Sequence, residues 1–206
     1  MKRKPILFEK LFAAQRSMGR EVIGLIGTHH GAGVTHTGLM LAFYLGMELG
    51  RKTAFLECNS HHDMNYIQKA YDWSREDDRS FSFHRITCYK EVKAGQIAGI
   101  FGEAYHCILM DFGVDFMHNK EEFYRCSTKI IVGGRSEWDI AKLLKFSDTA
   151  KEIQGSENWL YFIPLGNNKT ITKLRNEING KIWAVPQNDE PVIPSQDTSR
   201  FFRRLF

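Results

Sequence analysis

Short, almost unbroken apolar runs recur along this chain. Each is followed by a polar turn and then by a stretch whose apolar residues recur three and four apart. Glu21–Gly27 (EVIGLIG), Thr53–Glu57 (TAFLE), residues 106–110 (HCILM), 129–132 (KIIV), 158–163 and Lys181–Val185 (KIWAV) read as strands. Residues 81–87 alternate apolar and polar and read as one further strand. Helical spacing marks residues 5–18, 35–49 (closed by Gly50), a short piece within 61–73, 91–104, 120–126, 137–149 and 170–178. The helix at 91–104 is diluted by Gly95, Gly99 and Gly102. Residues 187–199 are polar and punctuated by proline, so they read as a tail.

Apolar strands alternating with helices imply parallel strands buried on both faces. The predicted fold class is therefore α/β, a three-layer α/β/α arrangement around a mostly parallel sheet. The expected organisation is a basic amphipathic helix over residues 1–20, an α/β domain over 21–186, and a tail over 187–206 with a basic aromatic end. Ligands of such sheets bind beyond the carboxyl ends of the strands, so the loops at that edge are where chemistry is to be sought.

Composition changes this picture in one respect. With 206 residues, 43% hydrophobic and 25% charged, the chain is an ordinary globular one, which excludes disordered and fibrous classes. Its net charge of +4 is concentrated at the ends. Lys2, Arg3, Lys4, Lys10, Arg16 and Arg20 face Glu9 alone at the start, and Arg200, Arg203 and Arg204 crowd the finish. The body between is net acidic, which argues against a nucleic-acid binder. Cys58, Cys88, Cys107 and Cys126 have no metal or disulfide spacing, and Cys58 and Cys107 read as small buried apolar groups. No apolar run approaches a membrane span and no leader pattern is present, so a cytoplasmic protein is expected.

The chemistry-bearing segment follows the first strand: Gly27-Thr-His-His-Gly-Ala-Gly-Val-Thr-His-Thr37. Glycines let backbone N–H groups turn toward an anion, and a helix N-terminus adds partial positive charge. No lysine occurs from Glu21 to Arg51, so the pattern G-x-x-x-x-G-K-[ST] is not met. The order of strand, glycine-rich turn, helix and acidic end of the second strand resembles the MinD/ParA branch of P-loop ATPases. That branch carries a loop K-G-G-x-G-K-T-T and includes the TadZ/CpaE pilus-assembly proteins. Counted onto this loop, His30 falls at the signature lysine, Thr35 at the phosphate lysine, His36 at the magnesium threonine and Thr37 at the threonine after it. Gly31, Ala32, Gly33 and Val34 form the turn between them. Glu57 matches the acid closing the second strand, and Asp111, after CILM, matches the Walker-B aspartate.

The resemblance implies a P-loop NTPase-like fold, ATP or ADP with Mg²⁺ as cofactor, and a homodimer that recruits protein partners at the membrane face. Each hydrogen bond to a charged group contributes about 1.5–3 kcal/mol. Two missing lysines therefore remove roughly 3–6 kcal/mol, about 10²–10⁴ in affinity or rate. The sequence thus favours a scaffold or positioning factor for pilus or secretion assembly with a degenerate, weakly binding loop. Two alternatives stay open: an ATP-dependent dimerisation switch using histidines, and a small-anion or metal-binding protein without nucleotide. His29, His30, His36, His61 and His62 belong to loops expected at one edge and read better as an anion-pocket lining than as metal ligands. Phe201, Phe202, Arg203, Arg204, Leu205 and Phe206 resemble the membrane-targeting end of MinD, which implies contact with anionic lipid; packing on the domain or on a partner is the competing expectation.

Overall fold

The computed structural model describes residues 19–71, 73 and 78–206. The helix expected over residues 5–18 lies outside the described residues. The strands are β1 (Glu21–Gly27), β2 (Thr53–Glu57), β3 (Ser80–Phe83), β4 (Ile86–Tyr89), β5 (Cys107–Asp111), β6 (Thr128–Val132), β7 (Leu160–Pro164) and β8 (Lys181–Val185). The helices are α1 (Val34–Phe43), α2 (Asp63–Ala70), α3 (Ala94–Phe101), α4 (Phe116–Arg125), α5 (Glu137–Ala150), α6 (Asn168–Leu174) and α7 (Gln196–Phe202). The strands form one sheet in the order β3-β4-β2-β5-β1-β6-β7-β8. Every pairing is parallel except β3 with β4, so the α/β expectation holds.

Burial on both faces explains the apolar runs. Ile23 and Leu25 of β1 enter one core with Phe43, Phe55 and Phe162, whereas Ile26 enters the other with Ile108, Phe123 and Ile131. A methyl group at Gly38 of α1 would come within 2.7 Å of the Phe55 ring, so its glycine lets α1 lie close on β2. Helix α1 continues as a π-helical turn over Tyr44–Glu48, which accounts for the long helix read at 35–49.

Two sequence expectations are corrected. The single strand at 81–87 is a hairpin, with Phe81 opposite Cys88 and Phe83 opposite Ile86. Its turn passes through His84 at φ 53, a left-handed residue that is neither glycine nor asparagine. The stretch 187–206 is not a free tail. Ser195 caps α7 by accepting from the Thr198 N–H, and α7 delivers Phe201 (7% exposed) and Phe202 (0%) into the core. Phe201 meets Phe162 edge-on at 5.4 Å, and Phe202 lies 5.6 Å from Tyr44. Of the two expectations for these rings, contact with lipid or packing on the domain, the structure shows the packing, and Leu205 and Phe206 lie partly against the same core. Glu48 receives the Ser199 hydroxyl and lies 3.8 Å from Arg203. Among the described residues no helix is long and apolar enough to cross a membrane.

Candidate nucleotide site

Strand β1 is central in the sheet, so the loop after it emerges mid-edge between the ends of β5 and β6. Two backbone bonds fix its base: Gly27 N–H to the Gly113 carbonyl (2.7 Å) and Thr28 N–H to that of Val132 (3.0 Å). Gly31 (φ 78) and Gly33 (φ 88) then take left-handed conformations, and α1 starts at Val34. Such a conformation strains a residue with a Cβ, so glycine is required twice in this turn. The first N–H groups of α1 lack intrahelical acceptors, as at any helix start, and such groups favour an anion beside them.

Asp111, at the end of β5, is wholly buried. One carboxylate oxygen accepts from the Thr35 hydroxyl (2.6 Å) and the other from the Gly113 N–H (2.9 Å). Burial pushes its pKa up, while the Thr35 and Gly113 hydrogen bonds pull it back in part. Glu57 stands beside Asp111 in the β2–β5 register and is also buried. It accepts from the N–H groups of Met64 (3.1 Å) and Glu91 (3.2 Å), and burial raises its pKa too. Glu57 thus ties α2 to the loop after β4 through one backbone N–H on each carboxylate oxygen.

Thr35, not His36, is the loop residue whose side chain reaches Asp111. Taking that bond as the guide would move the count by one residue: Thr35 would fall at the magnesium threonine, Val34 (6% exposed) at the phosphate lysine and His29 at the signature lysine, with Gly31 and Gly33 on glycines of K-G-G-x-G-K-T-T. His36 turns away, donating from Nε2 to the Asn188 carbonyl at 2.7 Å. Thr37 is buried within α1, and its N–H bonds to the Gly33 carbonyl. The side chain of Asp63 lies 3.4 Å from the Thr35 hydroxyl, a second carboxylate beside it.

The histidines divide. His30 and His61 approach to 5.6 Å between ring centroids. His29 contacts the His30 carbonyl (2.8 Å) and lies 3.3 Å from Asp139. His62 pairs with Glu91 at 2.7 Å, away from the loop. Among the described residues no group of three or more His, Cys, Asp or Glu side chains could hold a metal ion by itself. Cys107 is fully buried as expected, whereas Cys58 is half-buried.

A sheet of this order, with a glycine turn on its central strand and a buried acid closing the neighbouring strand, has well-defined structural counterparts. The chain superposes on the MinC:MinD cell division complex of Aquifex aeolicus with a TM-score of 0.67 at 13% identity, over 90% of this chain and 95% of that one. It superposes on a plasmid partition protein of Borrelia burgdorferi B31 bound to AMPPNP with a TM-score of 0.64 at 11% identity, over 91% and 96%. For the septum site-determining protein MinD of Pyrococcus horikoshii OT3, complexed with Mg-ADP, the score is 0.59 at 13% identity, over 90% and 94%. This is the MinD/ParA fold. No family model matches the sequence, and no curated protein does either. The MinD/ParA fold is thus present with little sequence identity to these structures.

Proposed function

We propose that this chain is a MinD/ParA-like positioning protein that works as a scaffold and does not hydrolyse ATP. The observation that carries the reading is Val34, a buried apolar side chain at the first residue of α1, in a segment that holds no lysine from Glu21 to Arg51. Phosphoryl transfer depends almost wholly on positioned charge and metal, and here the loop supplies backbone N–H groups without a fixed cation. The donor set fits half of a Mg-nucleotide: Thr35 and Asp111 would hold the metal, which would neutralise charge between the phosphates. It does not fit the other half, because no side chain of the loop is a permanent cation. Weak nucleotide binding follows, with self-association as a homodimer and recruitment of protein partners at the membrane face. The resemblance to the TadZ/CpaE proteins supports pilus or secretion assembly as the process served.

The intact Thr35–Asp111 pair favours a second reading, an ATP-dependent dimerisation switch. One experiment separates the two: ATP turnover with Mg²⁺, run beside Asp111→Asn. The scaffold reading expects background rates in both proteins. Turnover near one per second that Asp111→Asn abolishes would overturn it and install the switch.

A further inference from the structure

On the far side of β1 from α1, a cleft of about 400 Å³ opens between α4 and α5. Its volume is in the lower part of the range of small-molecule sites. Phe116, Met117 and Phe146 form apolar walls, and Lys142 and Lys145 are the charged groups of the lining, which holds no carboxylate. Lys142 is engaged by Asp139 at 3.1 Å. The Lys145 ammonium has no hydrogen-bond or ion-pair partner among the described residues. At the β1 end lies Thr28, whose hydroxyl oxygen is buried without a hydrogen-bond partner among the described residues. A buried hydroxyl left unpaired costs free energy, and buried polar groups otherwise find partners. Met117 is 71% exposed, an adaptable apolar side chain left in solvent beside the opening.

These features specify a ligand: an apolar body to cover Phe116, Met117 and Phe146, and a single negative charge for Lys145. We propose that the cleft binds a small amphiphilic carboxylate of medium chain length. Charge complementarity selects this class over neutral amphiphiles, because the lining carries cations and no anion. A larger cleft lined by Cys58, Phe112 and Val114 has the opposite balance, with Glu91, Asp115, Glu121 and Glu122 against Lys93. The site is independent of how the glycine loop is read, although both share residues Gly27 and Thr28.

The test is titration calorimetry of the full chain with octanoate and, in parallel, with octan-1-ol. Octanoate is expected to bind saturably and octanol roughly three- to fivefold more weakly, the worth of one exposed charge pair. Lys145→Gln should bring octanoate down to the level of octanol and leave octanol unchanged. Thr149→Trp, at an exposed helix position lining the cleft, should abolish binding of both while the circular dichroism spectrum stays the same. Absence of saturable octanoate binding, equal affinity for acid and alcohol, or indifference to Thr149→Trp in the folded protein would each overturn the proposal.

Discussion

The Thr35 hydroxyl donates to a carboxylate oxygen of Asp111 at 2.6 Å, joining the first turn of α1 to the end of β5 across the centre of the sheet. This bond satisfies an acid that is wholly buried. Removing it in Thr35→Val leaves that oxygen short of a donor, a loss of about 1–3 kcal/mol. Chemical denaturation should report that loss at neutral pH, and Thr35→Ser should recover most of it.

Two buried carboxyls with raised pKa values make stability fall as pH rises. Asp111 and Glu57 are both held up chiefly by burial. Such a group binds its proton more tightly folded than unfolded. Its contribution is complete below the unfolded value of about 4 and is lost as pH passes through the raised folded value. Asp111→Asn should therefore flatten the decline in unfolding free energy that sets in above about pH 4 relative to the parent. A parallel decline in both proteins would count against the burial argument.

The exposed pair His62–Glu91 gives a local titration. The hydrogen bond that the His62 ring donates to Glu91 raises the His62 pKa above 6.5, and the same bond lowers that of Glu91. The pair therefore operates from the ordinary glutamate range up to the raised His62 value, and it is lost as pH climbs through the latter. Proton NMR of the ring should place the His62 midpoint above 6.5, and Glu91→Gln should bring it back down.

Restoring the absent cation is a direct check on the moved alignment. Val34→Lys should strengthen ATP binding by about tenfold or more, the worth of a hydrogen bond to a charged group. Thr35→Lys, the position favoured by counting alone, should not, since it removes the partner of Asp111. Titration calorimetry with Mg-ATP compares the two.

Burial of the α7 rings makes the final residues structural. Phe202→Ala should cost about 3–5 kcal/mol, as for other buried phenylalanines. Arg204, which is exposed, should tolerate Arg204→Ser within about 0.5 kcal/mol. Thermal unfolding of the two variants distinguishes a core element from an appended one.

The sequence disclosed most of the sheet because strands buried on both faces leave a mark that needs no partner to be read. β1, β2 and β8 have the bounds their apolar runs imply. The β3–β4 hairpin was hidden because His84 and Arg85 make its turn without glycine, so the alternation looks continuous. Helix α7 was hidden because only Phe201 and Phe202 of its residues are large and apolar, and their burial depends on Phe162 and Tyr44 from distant elements. At the loop, counting residues produced one alignment onto the motif. What favours moving it by one is the direction of the Thr35 hydroxyl, a tertiary fact that no local pattern carries. Asp139 near the loop went unnoticed for the same reason.

Placing β1 between β5 and β6 has a consequence for synthesis. Glu21 aligns with Cys107 and Ile23 with Thr128, and Thr28 hangs from Val132. A nascent chain that has not yet emerged to Val132 thus has its glycine turn translated but unsupported, with β1 waiting for neighbours from the second half of the polypeptide. Pairings this distant are slow to close. A partner that engages the turn would therefore meet it in its folded shape only once the chain through Val132 has emerged.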